Sequence, residues 1–204
     1  MFRLIKGIIF DIGGVVVDCR FKSFLERFEK ISGMSKEELY SKIVDNRYWE
    51  MFEKGLLSEE DFKQKLENDM KMSHDLVELI SSEWRKILKP IPETIKIIKR
   101  LKKRYKIFAL SNVDFKTVEY CRKRFHVYDI FDGVVLSCEV HMRKPEKDIF
   151  LYTLESMKLK PEEVVFIDNY PKNIEGAKKL GIKTILFTTP QNLIKELMKL
   201  GVRV

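Results

Sequence analysis

Residues of the kind that handle phosphate stand at, or just beyond, the ends of short apolar runs. Ile8-Ile9-Phe10 leads into Asp11, Ile107-Phe108-Ala109-Leu110 into Ser111, Val134-Val135-Leu136 toward Lys144, and Val164-Val165-Phe166-Ile167 into Asp168. Apolar runs of this length between helical stretches read as buried parallel strands. Ligands of open parallel sheets bind beyond the carboxyl ends of the strands. A carboxylate nucleophile, a hydroxyl, an ammonium and a second carboxylate are therefore expected in one crevice. That set suits phosphoryl transfer. Asp11 can attack phosphorus and form an aspartyl phosphate. Bringing a carboxylate to a phosphate dianion calls for a hard cation with oxygen ligands, Mg²⁺, for which Asp11 and Asp168 are the available carboxylates. Ser111 can donate to a phosphoryl oxygen beside the N-terminus of the following helix. Lys144 sets a positive charge against the equatorial oxygens and Asp11. Gly13 and Gly14 let the backbone turn sharply and approach phosphate closely.

The elements that must position these residues alternate along the chain. Strands are expected at 107–110, 134–136, 164–167 and 184–187, in addition to the run before Asp11, with helices between them. This alternation predicts an α/β fold, a Rossmann-like three-layer core around a parallel sheet with right-handed crossovers. Residues 19–87 break the alternation and read as helical throughout. Phe21, Phe24, Leu25, Phe28 and Ile31 form one apolar stripe, and Leu76, Leu79, Ile80, Trp84, Ile87 and Leu88 another. Ser35 before Glu38, and Ser58 before Asp61, are helix-start signals, and Pro90 and Pro92 punctuate the return. The expected organisation is a core of residues 1–18 and 88–204 with an all-helical cap, 19–87, inserted over the crevice.

A chain of 204 residues with 45% apolar and 34% charged residues suits one domain with a modest insertion. No apolar run reaches the roughly 20 residues of a membrane span. Asp11 and Asp18 interrupt the N-terminal apolar stretch in a way a signal peptide would not. A soluble, cytoplasmic protein with no membrane partner is expected. Cys19, Cys121 and Cys138 are dispersed, and His74, His126 and His141 lack ligand spacing, which argues against a disulfide framework or a zinc site. The net charge of +8 is uneven: residues 19–88 hold 13 basic and 15 acidic residues, against 26 and 16 elsewhere. The cationic run at 96–106 reads as a solvated helix face, with no recognition motif to suggest nucleic acid. A positive core also suits a small anionic substrate.

Phe10-Asp11-Ile12-Gly13-Gly14-Val15-Val16-Val17-Asp18 resembles the first motif of the haloacid dehalogenase superfamily. The resemblance continues through Leu110-Ser111-Asn112, Arg143-Lys144-Pro145-Glu146, and Ile167-Asp168-Asn169 with Asn173-Ile174-Glu175-Gly176-Ala177. The motifs run in order across nearly the whole chain. The helical insertion is similar to that of the branch with a small helical cap, and the tail of the fourth motif to bacterial sugar-phosphate phosphatases of the glucose-1-phosphatase type. The resemblance implies a Mg²⁺-dependent phosphoric monoester hydrolase for a small phosphorylated metabolite, with a sugar phosphate as the expected class. Asp11, Ser111 and Lys144 would be catalytic. Asp11, Asp168 and the backbone carbonyl of Gly13 would hold the metal. Gly13, Gly14 and Asn112 would meet substrate from the core, and Arg47 and Trp49 from the cap. Trp49 and Phe52 have a second reading, as the hydrophobic core of the cap. Monomer and homodimer both remain open.

Two positions depart from the family pattern. The general acid and base two residues after the nucleophile is replaced by Gly13, and the second acid of the fourth motif by Asn169. General acid–base catalysis is typically worth ~10²–10⁴-fold. An enzyme that keeps its nucleophile, metal and lysine is therefore expected to work best on aryl or acyl phosphates, whose leaving groups need no proton. The rival expectation is a pseudo-enzyme that binds a phosphorylated ligand or protein partner without turnover. Asp18 and His141 are the candidate surrogate acids, Asp18 being also the expected cap of the first helix of the insertion. Cys19 is expected to pack.

Overall fold

The computed structural model describes residues 4–204. Strand β1 (Gly7–Phe10) is the buried run that precedes Asp11. After a tight loop comes β2 (Val17–Asp18), and then the helices α1 (Phe21–Ser32), α2 (Lys36–Ile43), α3 (Arg47–Glu53), α4 (Glu59–Asn68) and α5 (His74–Trp84). The chain returns through β3 (Lys89–Pro90) into α6 (Pro92–Leu101), β4 (Lys106–Ser111) and α7 (Phe115–Phe125). Then follow β5 (Gly133–Leu136), α8 (Ser137–Val140), α9 (Lys147–Met157), β6 (Val164–Asp168), α10 (Pro171–Lys178), β7 (Lys183–Leu186) and α11 (Pro190–Lys199).

The main sheet is parallel throughout, in the order β5-β4-β1-β6-β7. Phe10 pairs with Ala109 on one side and Ile167 on the other, so Asp11 leaves the central strand between the ends of β4 and β6. Strand β1 is fully buried because alternate side chains enter different layers. Ile8 and Phe10 join a core with Ile97, Ile98 and Leu101 of α6, Val118 of α7 and Leu193 and Leu197 of α11. Ile9 faces the opposite core, with Ile149, Phe150 and Leu154 of α9 and Ile174 and Ala177 of α10. These two cores make the three-layer α/β architecture.

The α1–α5 segment has a core of its own, in which Phe24, Phe28, Leu39, Leu66 and Val77 are buried. Phe52 stacks on Phe62 at 4.7 Å between centroids, and Trp49 packs edge-on against both and against Trp84. Local signals start two of these helices. The Ser35 side chain accepts from the Glu38 N–H, and Ser58 with Asp61 completes a capping box. The two chain crossings into this segment pair as an antiparallel ribbon, Val17 with Pro90 and Asp18 with Lys89, and Ile91 N–H donates to Val16 O at 2.8 Å. Asp18 does not cap α1. Arg20 holds that position in a left-handed conformation, while the exposed Asp18 carboxylate accepts from the Arg20 N–H. The intervening Cys19 and Arg20 move the helix start beyond the reach of an Asp18 cap.

Candidate active site

The ends of β1, β4 and β6 converge on Lys144. Its ammonium, 1% exposed, donates to Asp11 Oδ1 at 2.7 Å, Asp168 Oδ2 at 2.7 Å and the Leu110 carbonyl at 2.9 Å. Its backbone is clamped by Asn112, whose side chain accepts from Lys144 N–H at 2.8 Å and donates to Lys144 O at 2.9 Å. Three strand ends thus share one buried cation. Burial opposes the charge on Lys144, but Asp11 and Asp168 outweigh it and hold its pKa above the ordinary lysine value. Burial pushes the Asp11 carboxyl up to about 7; Lys144 pulls it down, and Asp168 adds to the rise.

Asp168 has both oxygens engaged. Oδ2 accepts from Lys144 and from Asn173 Nδ2 at 2.9 Å, and Oδ1 accepts from the Tyr170 N–H at 2.7 Å. The free edge of the site lies instead between Asp11 Oδ2, the Gly13 carbonyl and the Asn169 amide. With its nitrogen turned inward, Asn169 donates to Gly13 O at 3.0 Å and to Asp11 Oδ2 at 3.3 Å. Turned about, the same amide presents an oxygen to two oxygens at those distances. Neighbouring ligands of an octahedral Mg²⁺ with bonds of ~2.1 Å lie about 3.0 Å apart. With the amide oxygen inward all three groups present oxygens, and the two separations from Asn169 are close to that spacing, so these residues fit a hard divalent cation.

The loop after β1 is shaped for close approach. Val15, Val16 and Val17 N–H all point to the Ile12 carbonyl, and Gly14 N–H donates to Val17 O at 2.7 Å. Gly14 has φ +78°, and a Cβ there would lie 2.3 Å from the Asn169 side chain, so only glycine fits. Gly13 is different: it lies outside the left-handed region, and an added Cβ would meet only Cys19 Sγ, at 3.4 Å.

A cleft of about 530 Å³ opens above these groups, a volume suited to a small ligand. Asp11, Gly13, Gly14, Ser111, Asn112, Lys144 and Asp168 all line it, and so does Trp49 from α3. The Ser111 hydroxyl makes no hydrogen bond to the described residues and remains available as a donor. The Asn112 amide, by contrast, is committed to the Lys144 backbone. Arg47 does not reach the cleft. It begins α3 on the exposed side, where its guanidinium donates to Tyr48 Oη at 2.7 Å and lies 4.8 Å over that ring. The helical phase that turns Trp49 and Glu53 inward turns Arg47 out. His141 is also elsewhere, its Nδ1 being 2.8 Å from the Lys54 carbonyl. Cys19 does line the cleft, but burial, with Asp11 next in weight, pushes its thiol up to about 12, so it stays protonated.

Residues without an expected role close the cleft from above. Arg143 donates to Glu53 Oε2 through Nη2 at 2.8 Å and Nε at 3.2 Å, and to Glu50 Oε1 through Nη1 at 2.9 Å. Ser137 Oγ donates to the Glu53 carbonyl at 2.6 Å. Burial raises the Glu53 carboxyl above its ordinary pKa, and Arg143 and a hydrogen bond from Trp49 oppose the rise. Arg143 and Glu53 are 90 residues apart, so no local signal pairs them. Asn173 was within reach of sequence reasoning, five residues after Asp168 in the quoted motif.

Comparison with known proteins identifies the family. The family model described as haloacid dehalogenase-like hydrolase matches residues 8–187. The chain is 26% identical over 188 residues to a D-ribitol-5-phosphate phosphatase of Bacteroides thetaiotaomicron, covering 89% of this chain and 91% of that protein. It is 28% identical over 203 residues to a glyceraldehyde 3-phosphate phosphatase of Methanocaldococcus jannaschii, covering 89% and 84%. Among solved structures, it is similar to a haloacid dehalogenase family enzyme of Bacteroides thetaiotaomicron in complex with magnesium and inorganic phosphate. That likeness has a TM-score of 0.72 and 25% identity, over 90% of this chain and 94% of that one. With the family model spanning both the sheet and the helical insertion, the chain belongs to the haloacid dehalogenase-like hydrolases.

Proposed function

We propose that this protein is a Mg²⁺-dependent phosphomonoesterase acting on a small phosphorylated metabolite, a sugar or polyol phosphate, through a phosphoenzyme at Asp11. The observation that carries the reading is the single buried ammonium of Lys144 shared between Asp11 and Asp168, on the wall that also holds Ser111, Gly13 and Gly14. Relatives that act on ribitol and glyceraldehyde phosphates support the substrate class.

In this account an Asp11 oxygen attacks phosphorus, the P–O bond to the alcohol breaks, and water then hydrolyses the acyl phosphate to regenerate Asp11. Lys144 orients Asp11 and sets a positive charge beside the transferring group, and the Ser111 hydroxyl donates to one of its oxygens. Asp168 fixes Lys144. The cation would lie against Asp11, the Gly13 carbonyl and the Asn169 amide oxygen, with Asp168 behind; when bound, it supplies charge to offset the repulsion between Asp11 and the phosphate dianion. The α1–α5 segment acts as a cap that excludes bulk water.

Phosphate release from a panel of sugar, polyol and aryl phosphates, with Mg²⁺ or EDTA, for wild type and Asp11→Asn, tests the proposal. Metal-dependent release that Asp11→Asn abolishes is the expected result. Gly13 and Asn169 favour the rival reading, a phosphate-binding pseudo-enzyme. Saturable ligand binding with no release above that of the variant would select it.

A further inference from the structure

The part of the cleft lining contributed by the helical segment is acidic. Asp45, Glu50 and Glu53 line it, whereas Arg143 and Lys172 are the cations on the lining apart from Lys144. Arg143 is not available to a ligand's anion. Its Nη1 is held by Glu50, and its Nη2 and Nε by Glu53, so one cation stands between two carboxylates. Asp45 is exposed and has no ion-pair partner among the described residues, and Lys172 is an exposed side chain at the start of α10. The contrast extends to the whole chain: residues 19–88 are net acidic and the remainder strongly basic.

We infer that this wall is a charge filter: the protein accepts phosphomonoesters whose alcohol is neutral and hydroxylated, and rejects those carrying a second anion, a carboxylate or another phosphate. The inference rests on the reading that the ester phosphate lies at Asp11 and Lys144. A phosphate anchored there leaves its alcohol on the lining that Glu50, Glu53 and Asp45 share, where three carboxylates meet only two cations, Arg143 and Lys172. Carboxylate oxygens accept from hydroxyl groups, and the excess negative charge, carried by the unpaired Asp45, repels a second anion in a salt-dependent way. The aromatic side chains Tyr40 and Trp49 on the same wall offer apolar faces to a carbon chain without adding positive charge.

The test uses a matched pair, ribitol 5-phosphate and ribonate 5-phosphate, which differ by a terminal carboxylate. Calorimetry with Asp11→Asn protein and Mg²⁺ reads affinity without turnover. Tighter binding of the polyol ester by about tenfold or more at low salt is expected, with the gap narrowing in ~0.5 M NaCl. Asp45→Asn and Glu50→Gln should each narrow it by strengthening ribonate binding, whereas a merely structural role for these carboxylates would shift both ligands together. Equal affinities, tighter ribonate binding, or no ribitol phosphate binding would overturn the inference. A retained affinity gap in a wild-type protein that releases no phosphate would instead leave the filter standing and overturn the phosphatase reading.

Discussion

Placing a carboxyl at Gly13, where the proposed mechanism lacks an acid, is the most informative perturbation of this site. Gly13 stands two residues beyond Asp11, the proposed nucleophile, and its backbone lies outside the left-handed region, so a side chain is admissible there. An added Cβ meets Cys19 Sγ at 3.4 Å and nothing closer, a contact that a small shift of the thiol relieves. Gly13→Asp should therefore fold, with its carboxyl on the Cys19 side of the cleft. Burial and the adjacent Asp11 would both disfavour its ionised form, leaving much of it protonated near neutral pH, as a proton donor requires. General acid catalysis is worth ~10²–10⁴-fold, and mainly where the leaving group needs a proton. Wild type should favour aryl over alkyl phosphates. The variant should raise kcat on an alkyl phosphate by about 10²-fold and on an aryl phosphate by about tenfold at most. The assay is the ratio of the two kcat values at saturating Mg²⁺, with folding checked by thermal melting. A folded variant that leaves the ratio unchanged would refute the view that proton delivery is what Gly13 lacks.

Other perturbations probe the charges around Lys144. Lys144→Met leaves Asp11 and Asp168 buried without their shared cation and should destabilise the protein by about 3–5 kcal/mol in urea unfolding at pH 7; a loss below about 1 kcal/mol would show that the triad is not buried as described. Asn169→Asp adds a charged oxygen beside Asp11 and Gly13 and should tighten Mg²⁺ binding by about tenfold or more by calorimetry; unchanged affinity would place the cation away from this amide. The Asp11 carboxyl, raised by burial to about 7 from 3.8, makes the metal-free native state hold a proton that the unfolded chain has released. Stability of the metal-free protein should therefore fall as pH rises from about 4 to about 7. Asp11→Asn should remove that component of the slope in paired urea melts, and an unchanged slope would assign it to another group.

The sheet was legible because its strands are continuous apolar runs flanked by helical periodicity. Asp11, Ser111 and Asp168 were legible because each stands at the end of such a run. The strand ends fall within one residue of the expected ranges, as with Lys106–Ser111 against 107–110 and Lys183–Leu186 against 184–187. Helix starts at Ser35 and Ser58 could be read because a cap is a local hydrogen bond. The α3 region was harder. Trp49 packs against Phe52, Phe62 and Trp84 and also lines the cleft, so the two readings of it are not exclusive. Arg47 failed as a ligand-reader because neighbours on a short helix point in different directions, and composition does not say which faces inward. The Arg143–Glu53–Glu50 cluster was out of reach for a different reason: it joins side chains 90 or more residues apart, set by how α3 packs beside the loop that carries Arg143. The place of Asn169 depended on the same kind of information, because only the folded loop shows its amide beside the Gly13 carbonyl and Asp11 Oδ2.

The claim that Asp11 is the nucleophile can be tested on the covalent intermediate itself. Wild-type protein is mixed with ribitol 5-phosphate or an aryl phosphate and Mg²⁺, quenched in acid within milliseconds, digested and examined by mass spectrometry. The account predicts a substrate-dependent, hydroxylamine-labile phosphoryl group on the peptide containing Asp11, absent with EDTA and in Asp11→Asn. Phosphate release accompanied by no label on Asp11, or by label on another residue, would contradict it.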